Sequence, residues 1–216
     1  MLKPLYNKLK EQHEVYITSR DFDSTEYLLE NFSLPYISVG NHGGPTNLGK
    51  LKAYTKRLEK LIEVTEKQNP DFLFCLASPE ALRISFGLNI PNIIFNDEPR
   101  SLGVVSLTLS LADQVIVPEC IPEEWYLRYV QKKHLIRFKG IDEVGWLSNF
   151  SPEKSVLEPL GLEEEDYIVC RTEPTKAQYL ADKMEPHETQ LTEIIPELIR
   201  TTDLTYVIIT RYREQY

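Results

Sequence analysis

Four short clusters in this chain have the residue types and the spacing to do chemistry. The first is Gly40-Asn41-His42-Gly43-Gly44-Pro45-Thr46-Asn47. If it joins a strand to a helix, Gly43 and Gly44 let backbone N–H groups approach an anion at the helix start. His42 titrates near neutral pH and is the candidate general acid or base. The run is neither a dinucleotide-binding fingerprint nor a Walker loop. Turn formation alone also accounts for its glycines and proline, with His42 as a solvated loop residue.

The second cluster is Ala77-Ser78-Pro79-Glu80 and the third Asn96-Asp97-Glu98. Ser78 and Glu80 suit hydrogen bonds to a sugar hydroxyl, although capping of a helix start is the plainer reading of both. Asn96, Asp97 and Glu98 end an apolar run, a placement strand stability does not require. Asp97 is a candidate catalytic carboxylate and Asn96 a ligand contact; a solvated acidic strand end is the alternative. The fourth cluster comes late: Arg171 and Glu173, then Arg211 and Arg213, again come after strand-like runs. Arginines suit bidentate phosphate recognition, and a solvated chain end reads the same way. Arg20-Asp21 closes an earlier run, as a salt-bridged loop or a ligand contact.

These clusters need elements to hold them. Residues 71–97 read as an apolar strand, a Ser-Pro-Glu helix start, a short helix ending at Gly87, and a second apolar strand. Two such runs joined by a helix are most simply parallel strands of one covered sheet, and ligands of open α/β sheets sit at the carboxyl ends of such strands. Around this unit the pattern alternates: helix 2–12, strand 14–19, helix 24–32, strand 36–39, helix 48–68, then helix 102–111, strand 114–117, helix 122–130 and strand 135–139. The fold expected is α/β, doubly wound. Helix 48–68 carries mixed charges at i, i+4 spacing, a solvated face over an apolar stripe.

The pattern breaks over 140–161, where Trp146, Phe150, Pro152 and Pro159 suit a packed connector. A second series comes next: strand 167–171, helix 187–201 and strand 204–210. The expected organisation is therefore a Rossmann-like domain over 1–139, the connector 140–161, and a second Rossmann-like domain starting at 162. A doubly wound domain normally begins with a strand, whereas this one opens on a helix. Two strands and one helix are too few to cover both faces of a parallel sheet. Both ends therefore read as truncated.

Composition narrows the partners. Of 216 residues, 42% are hydrophobic and 26% charged, an ordinary globular composition. Lysine and arginine number 24 against 33 acidic residues, a formal charge of −9, so no nucleic acid is expected as partner. No apolar run approaches the roughly 20 residues of a membrane span, and the N-terminus lacks a signal-peptide core; the cytoplasm is the expected location. Cys75, Cys120 and Cys170 lie far apart with no paired spacing and are expected to be buried thiols. The four histidines are equally scattered, so neither a metal nor another cofactor is called for.

Five segments, KPLYNKLKEQHEVYITSRDF, VGNHGG, ASPEALRISFGLNIPNIIFND, LADQVIVPECIPEE and RFKGIDEVGWL, together with RTEP and TRYREQ, resemble the archaeal and bacterial domain-of-unknown-function 354 family. That family is similar in architecture to GT-B glycosyltransferases and to UDP-N-acetylglucosamine 2-epimerases. The resemblance implies two Rossmann-like domains of GT-B type, the first lacking its initial strand and the second incomplete. It also implies a nucleotide-sugar or related donor held mainly by the second domain, near Arg171, Glu173 and Arg211. The first would position an acceptor with His42, Asp97, Gly43, Gly44, Ser78, Glu80 and Asn96. The function expected is glycosyltransferase-like or nucleotide-sugar epimerase-like, with independent activity impaired in a fragment. The alternative is a noncatalytic relic, or one half of a two-chain enzyme completed by a complementary chain or a homo-oligomer.

Overall fold

The computed structural model describes residues 1–216 except Met1, Asp23, Pro45, Asn149, Gln178, Tyr179, Ala181 and Asp182, and the side chain of Leu2. The Pro45 position of the glycine-rich run thus lies outside the described residues. The chain divides into two compact units, residues 1–149 and 150–216.

The first unit alternates helices and strands in the expected order. It runs α1 (Leu2–Leu9), β1 (Thr18–Asp21), α2 (Thr25–Asn31), β2 (Ile37–Asn41), α3 (Asn47–Gln68), β3 (Leu73–Cys75) and α4 (Pro79–Leu88), then β4 (Asn92–Phe95), α5 (Leu102–Thr108), β5 (Gln114–Pro118), β6 (Leu135–Phe138) and α6 (Asp142–Leu147). Every pairing is parallel, and α-helices make the crossovers except between β5 and β6. The strands form two sheets, β1-β2 and β3-β4-β5-β6.

The helix boundaries obey local chemistry. Thr46 caps α3 by accepting the Gly49 N–H at 3.0 Å, and Asn69 ends it in the left-handed region just before Pro70. Ser78 caps α4 with Pro79 in its first turn, and α4 runs past Gly87 to a left-handed Asn89. Leu82, Ile94, Val105, Leu109, Val115, Val117, Tyr126 and Val130 pack into the main core. A smaller cluster of Val39, Leu61 and Ile84 joins β2, α3 and α4.

Three expectations are corrected. Residues 122–130 form no α-helix: a single 3₁₀ turn at Glu123–Trp125 leads into hydrogen-bonded turns that bring Tyr126 wholly into the core. The strand expected over 14–19 is shifted to Thr18–Asp21, because it gains ladder bonds only where β2 runs alongside. Of the three cysteines, all free, Cys120 is exposed rather than buried.

The second unit contains β7 (Tyr167–Arg171), α7 (Leu191–Thr201) and β8 (Thr205–Ile209). β7 and β8 pair in parallel over five residues, Tyr167 opposite Thr205 through Arg171 opposite Ile209. Ile195 is the buried residue of α7. No helix among the described residues is long and apolar enough to cross a membrane.

Candidate functional site

In the first unit the chemistry-bearing residues sit at the carboxyl ends of the parallel strands. Between the Ser19–Ser38 and Asp21–Asn41 pairs the register shifts by one residue, where Gly40 takes a φ of +77°. Such a bulge bends its strand and re-aims the side chains beyond it. The His42 N–H then donates to the Asp21 carbonyl at 3.3 Å, and the imidazole stacks on Phe22 with ring centroids 4.2 Å apart. Arg20 in turn lies 5.2 Å from the Phe22 ring centroid.

The glycines serve this histidine directly. Gly44, at φ +76°, donates its N–H to His42 Nδ1 at 3.2 Å. That amide is therefore engaged by the imidazole, a role different from the anion contact expected of the loop. Accepting this bond leaves Nδ1 without a proton, so a neutral His42 carries its proton on Nε2. A Cβ on Gly43 would lie 2.4 Å from the Gly49 carbonyl oxygen, so only glycine lets the loop close on the first turn of α3.

Beside His42 opens a cavity of about 340 Å³ whose far wall is α3. Lys52, Lys56 and Lys60 line it from one helix face, joined by Glu59. Three exposed lysines against one glutamate on this wall favour an anionic group over a neutral one. These lysines are exposed, as the solvated face read in the sequence expects; that the glycine loop faces them is not visible there.

Arg57 of α3, packed against Gly40, is only 8% exposed, and its Nε has no hydrogen-bond partner among the described residues. Burial pulls its pKa down, the Glu80 charge pushes it up and Arg20 pulls it down again. Glu80, only 6% exposed, accepts a hydrogen bond from the Ser78 hydroxyl at 3.0 Å. Ser78 therefore caps α4 and holds Glu80 with one hydroxyl. Just before it, Ala77 sits at φ +43°, a strained conformation for a residue with a Cβ.

The end of β4 forms a separate neighbourhood. Asn96 is 7% exposed, so it lies inside rather than on a rim; its carbonyl accepts the Tyr126 hydroxyl at 3.0 Å, while its Oδ1 has no partner among the described residues. Arg100 grips Glu98 with Nε to Oε1 at 2.7 Å and Nη2 to Oε2 at 2.6 Å, and this bond foremost holds the Glu98 carboxyl below its ordinary range. Asp97 is exposed. Burial, then the Asp97 charge, pushes the Asp142 carboxyl upward. Asp142, at the start of α6, is a second carboxyl that no local motif announces. Burial and then the charges of Asp97 and Glu98 also raise the Tyr126 hydroxyl, which stays protonated and able to donate.

In the second unit Arg171 is exposed, whereas Thr172 beside it is buried. The Thr172 hydroxyl donates to Gln215 Oε1 at 2.7 Å and accepts the Arg211 N–H at 2.8 Å. Gln215 Nε2 donates to the Glu173 carbonyl at 3.0 Å. Glu173 Oε1 accepts the Gln190 N–H at 3.0 Å ahead of α7. Burial pushes the Glu173 carboxyl up, but hydrogen bonds from Thr189 and from backbone N–H groups outweigh it and hold the group low. Arg171, Glu173 and Arg211 thus lie at one end of the β7-β8 pair, where Thr172 and Gln215, which sequence reasoning passes over, tie the Glu173 carbonyl to the Arg211 amide. Among the described residues no group of three His, Cys, Asp or Glu side chains is placed to hold a metal ion.

Comparison with known proteins fits this architecture. An uncharacterised protein of Methanocaldococcus jannaschii is 30% identical over 212 residues, covering 95% of this chain and 60% of its own length. The chain thus spans about 60% of the curated relative it matches. A crystal structure from Listeria monocytogenes, provisionally named a UDP-N-acetylglucosamine 2-epimerase, superposes with a TM-score of 0.63 at 16% identity, over 96% of this chain and 57% of that one. The likeness is one of fold: α/β with parallel sheets, of the GT-B kind. The model of the family described as "Protein of unknown function (DUF354)" matches residues 3–216, and the chain belongs to that family.

Proposed function

We propose that the protein acts on a nucleotide-sugar, as a glycosyltransferase-like or epimerase-like enzyme, and that its first unit binds a substrate carrying an anionic group. The observation that carries this reading is the 340 Å³ cavity in which His42 faces Lys52, Lys56 and Lys60. Lysine ammonium groups take a phosphate or carboxylate as point charges. His42, with its proton on Nε2, is the proton donor of the site. Asp97, whose charge helps to raise the carboxyl of Asp142, is the second acid–base group. Ser78, Glu80 and Asn96 supply hydroxyl contacts. In the second unit the strand-end group of Arg171, Glu173 and Arg211 suits the phosphates and ribose of the nucleotide.

The fold shared with the Listeria monocytogenes protein makes UDP-N-acetylglucosamine the first ligand to try. Titration calorimetry of the chain with this compound is expected to give saturable binding. Arg171→Glu in the second unit and Lys56→Glu in the first are each expected to weaken it about tenfold, roughly the 1.4 kcal/mol of one lost charged contact. No heat of binding, or binding indifferent to both substitutions, overturns the reading.

A further inference from the structure

The wall that faces His42 holds more charge than one compact anion uses. Lys52, Lys56 and Lys60 follow one another at four-residue steps, about 6 Å each along α3, so the row is about 12 Å long. All three are exposed, and none forms an ion pair among the described residues. Coulomb attraction falls with distance and salt screens it within about 8–10 Å, so a single phosphate or carboxylate leaves part of the row unmatched. A diphosphate, whose charges sit closer together than one step, does the same. The ligand that uses the whole row is longer and carries anionic groups repeatedly.

The rest of the lining says what kind of chain this is. Gly49 and Ala53 add no long side chain to the wall, and 340 Å³ over about 12 Å gives a mean section of about 28 Å², too narrow for a helix about 10–12 Å across. No aromatic side chain lines the cavity, so a nucleobase finds no surface to stack on. Two acceptors do line it: the Glu59 carboxylate, and Asn41, whose Nδ2 donates to Asp21 at 3.3 Å and whose Oδ1 is left to accept. A phosphodiester backbone has no donor for either and repels Glu59. A sugar chain has hydroxyls for both, and an acidic one also has a carboxylate for each lysine.

We propose that this groove binds an extended acidic oligosaccharide, a chain of uronic-acid residues. Its successive carboxylates pair with Lys52, Lys56 and Lys60, and its hydroxyls donate to Glu59 and Asn41. The His42 Nε2–H donates to the same chain. The proposal rests on the nucleotide-sugar reading, which is what favours a sugar chain over an acidic peptide, and it names the class of a second ligand.

The probe is tetragalacturonate, titrated calorimetrically into the intact chain with no nucleotide-sugar present. Saturable binding is expected, with maltotetraose, a neutral tetrasaccharide, at least tenfold weaker. Lys52→Gln and Lys60→Gln are each expected to weaken the acidic tetramer about fivefold. Lys67→Gln, in the last turn of α3 and outside the groove, is expected to leave it unchanged. Tetraglutamate and a thymidine tetranucleotide carry comparable charge and are expected to bind at least tenfold more weakly. Equal binding of either, binding indifferent to both groove substitutions, or no binding of tetragalacturonate overturns the proposal. In that last case UDP-N-acetylglucosamine that still binds leaves the nucleotide-sugar reading standing, so the two fail separately.

Discussion

The Gly44 amide donates to His42 Nδ1 across 3.2 Å, so one turn of backbone chooses the tautomer of the histidine. The glycine-rich loop thereby orients an imidazole.

This makes the protonation pattern of His42 measurable. Nitrogen-15 NMR of the neutral ring is expected to show the proton on Nε2 and an unprotonated Nδ1. A proton on Nδ1 contradicts the bond and removes the proposed proton donor from the cavity. Gly43→Ala, which forces a Cβ against the Gly49 carbonyl, is expected to disturb the same signals without touching the ring.

Tyr126 is fully buried and its hydroxyl is the partner of the Asn96 carbonyl. Tyr126→Phe leaves that acceptor inside the core with nothing to accept, at a cost of about 1–3 kcal/mol. Urea unfolding checks this, with an unchanged m value expected because the packing volume is kept.

Asp142 gives stability a pH signature. Burial and Asp97 raise its pKa in the folded state, so the folded chain holds that proton more tightly than the unfolded one. The stability it contributes is complete below the ordinary aspartate value, about 3.9, and is lost as pH rises through the raised folded value. Asp142→Asn is expected to be more stable than the parent at neutral pH, with the difference shrinking to nothing in acid. Asp97→Asn should recover part of the same gain, and less than additively in the double variant.

Thiol chemistry separates the cysteines. Burial pushes the Cys75 thiol up to about 11, backbone hydrogen bonds from Ser78 and Ala77 offsetting only part of the rise. It is almost wholly protonated at pH 8 and slow to alkylate. Cys120 is exposed. Mass spectrometry after brief iodoacetamide treatment is expected to find Cys120 modified first and Cys75 last, with Cys75 reacting only on unfolding.

Much of the fold is legible in the sequence because local rules and tertiary demands agree. The Ser78-Pro79 start of α4, the Asn69-Pro70 stop of α3 and the β-branched runs of β4, β5 and β7 need no partner to be recognised. The helix expected over 122–130 fails because Tyr126 serves a distant carbonyl, thirty residues back in the chain. Gln215 stays invisible for the same reason: what makes it matter is Thr172, forty-three residues earlier.

By itself the sequence determined the alternation of helices and strands, the parallel sense of the pairing, and the polar clusters that end the strands. Those arise from periodicity and capping, which act over a few residues. Tertiary structure alone decided which face of α3 meets His42, that Asp97 burdens Asp142, and that Arg57 and Glu80 are buried together. Each is a relation between segments far apart in the chain. Coulomb forces and hydrogen bonds depend on distance in space, which no local pattern of residue types encodes.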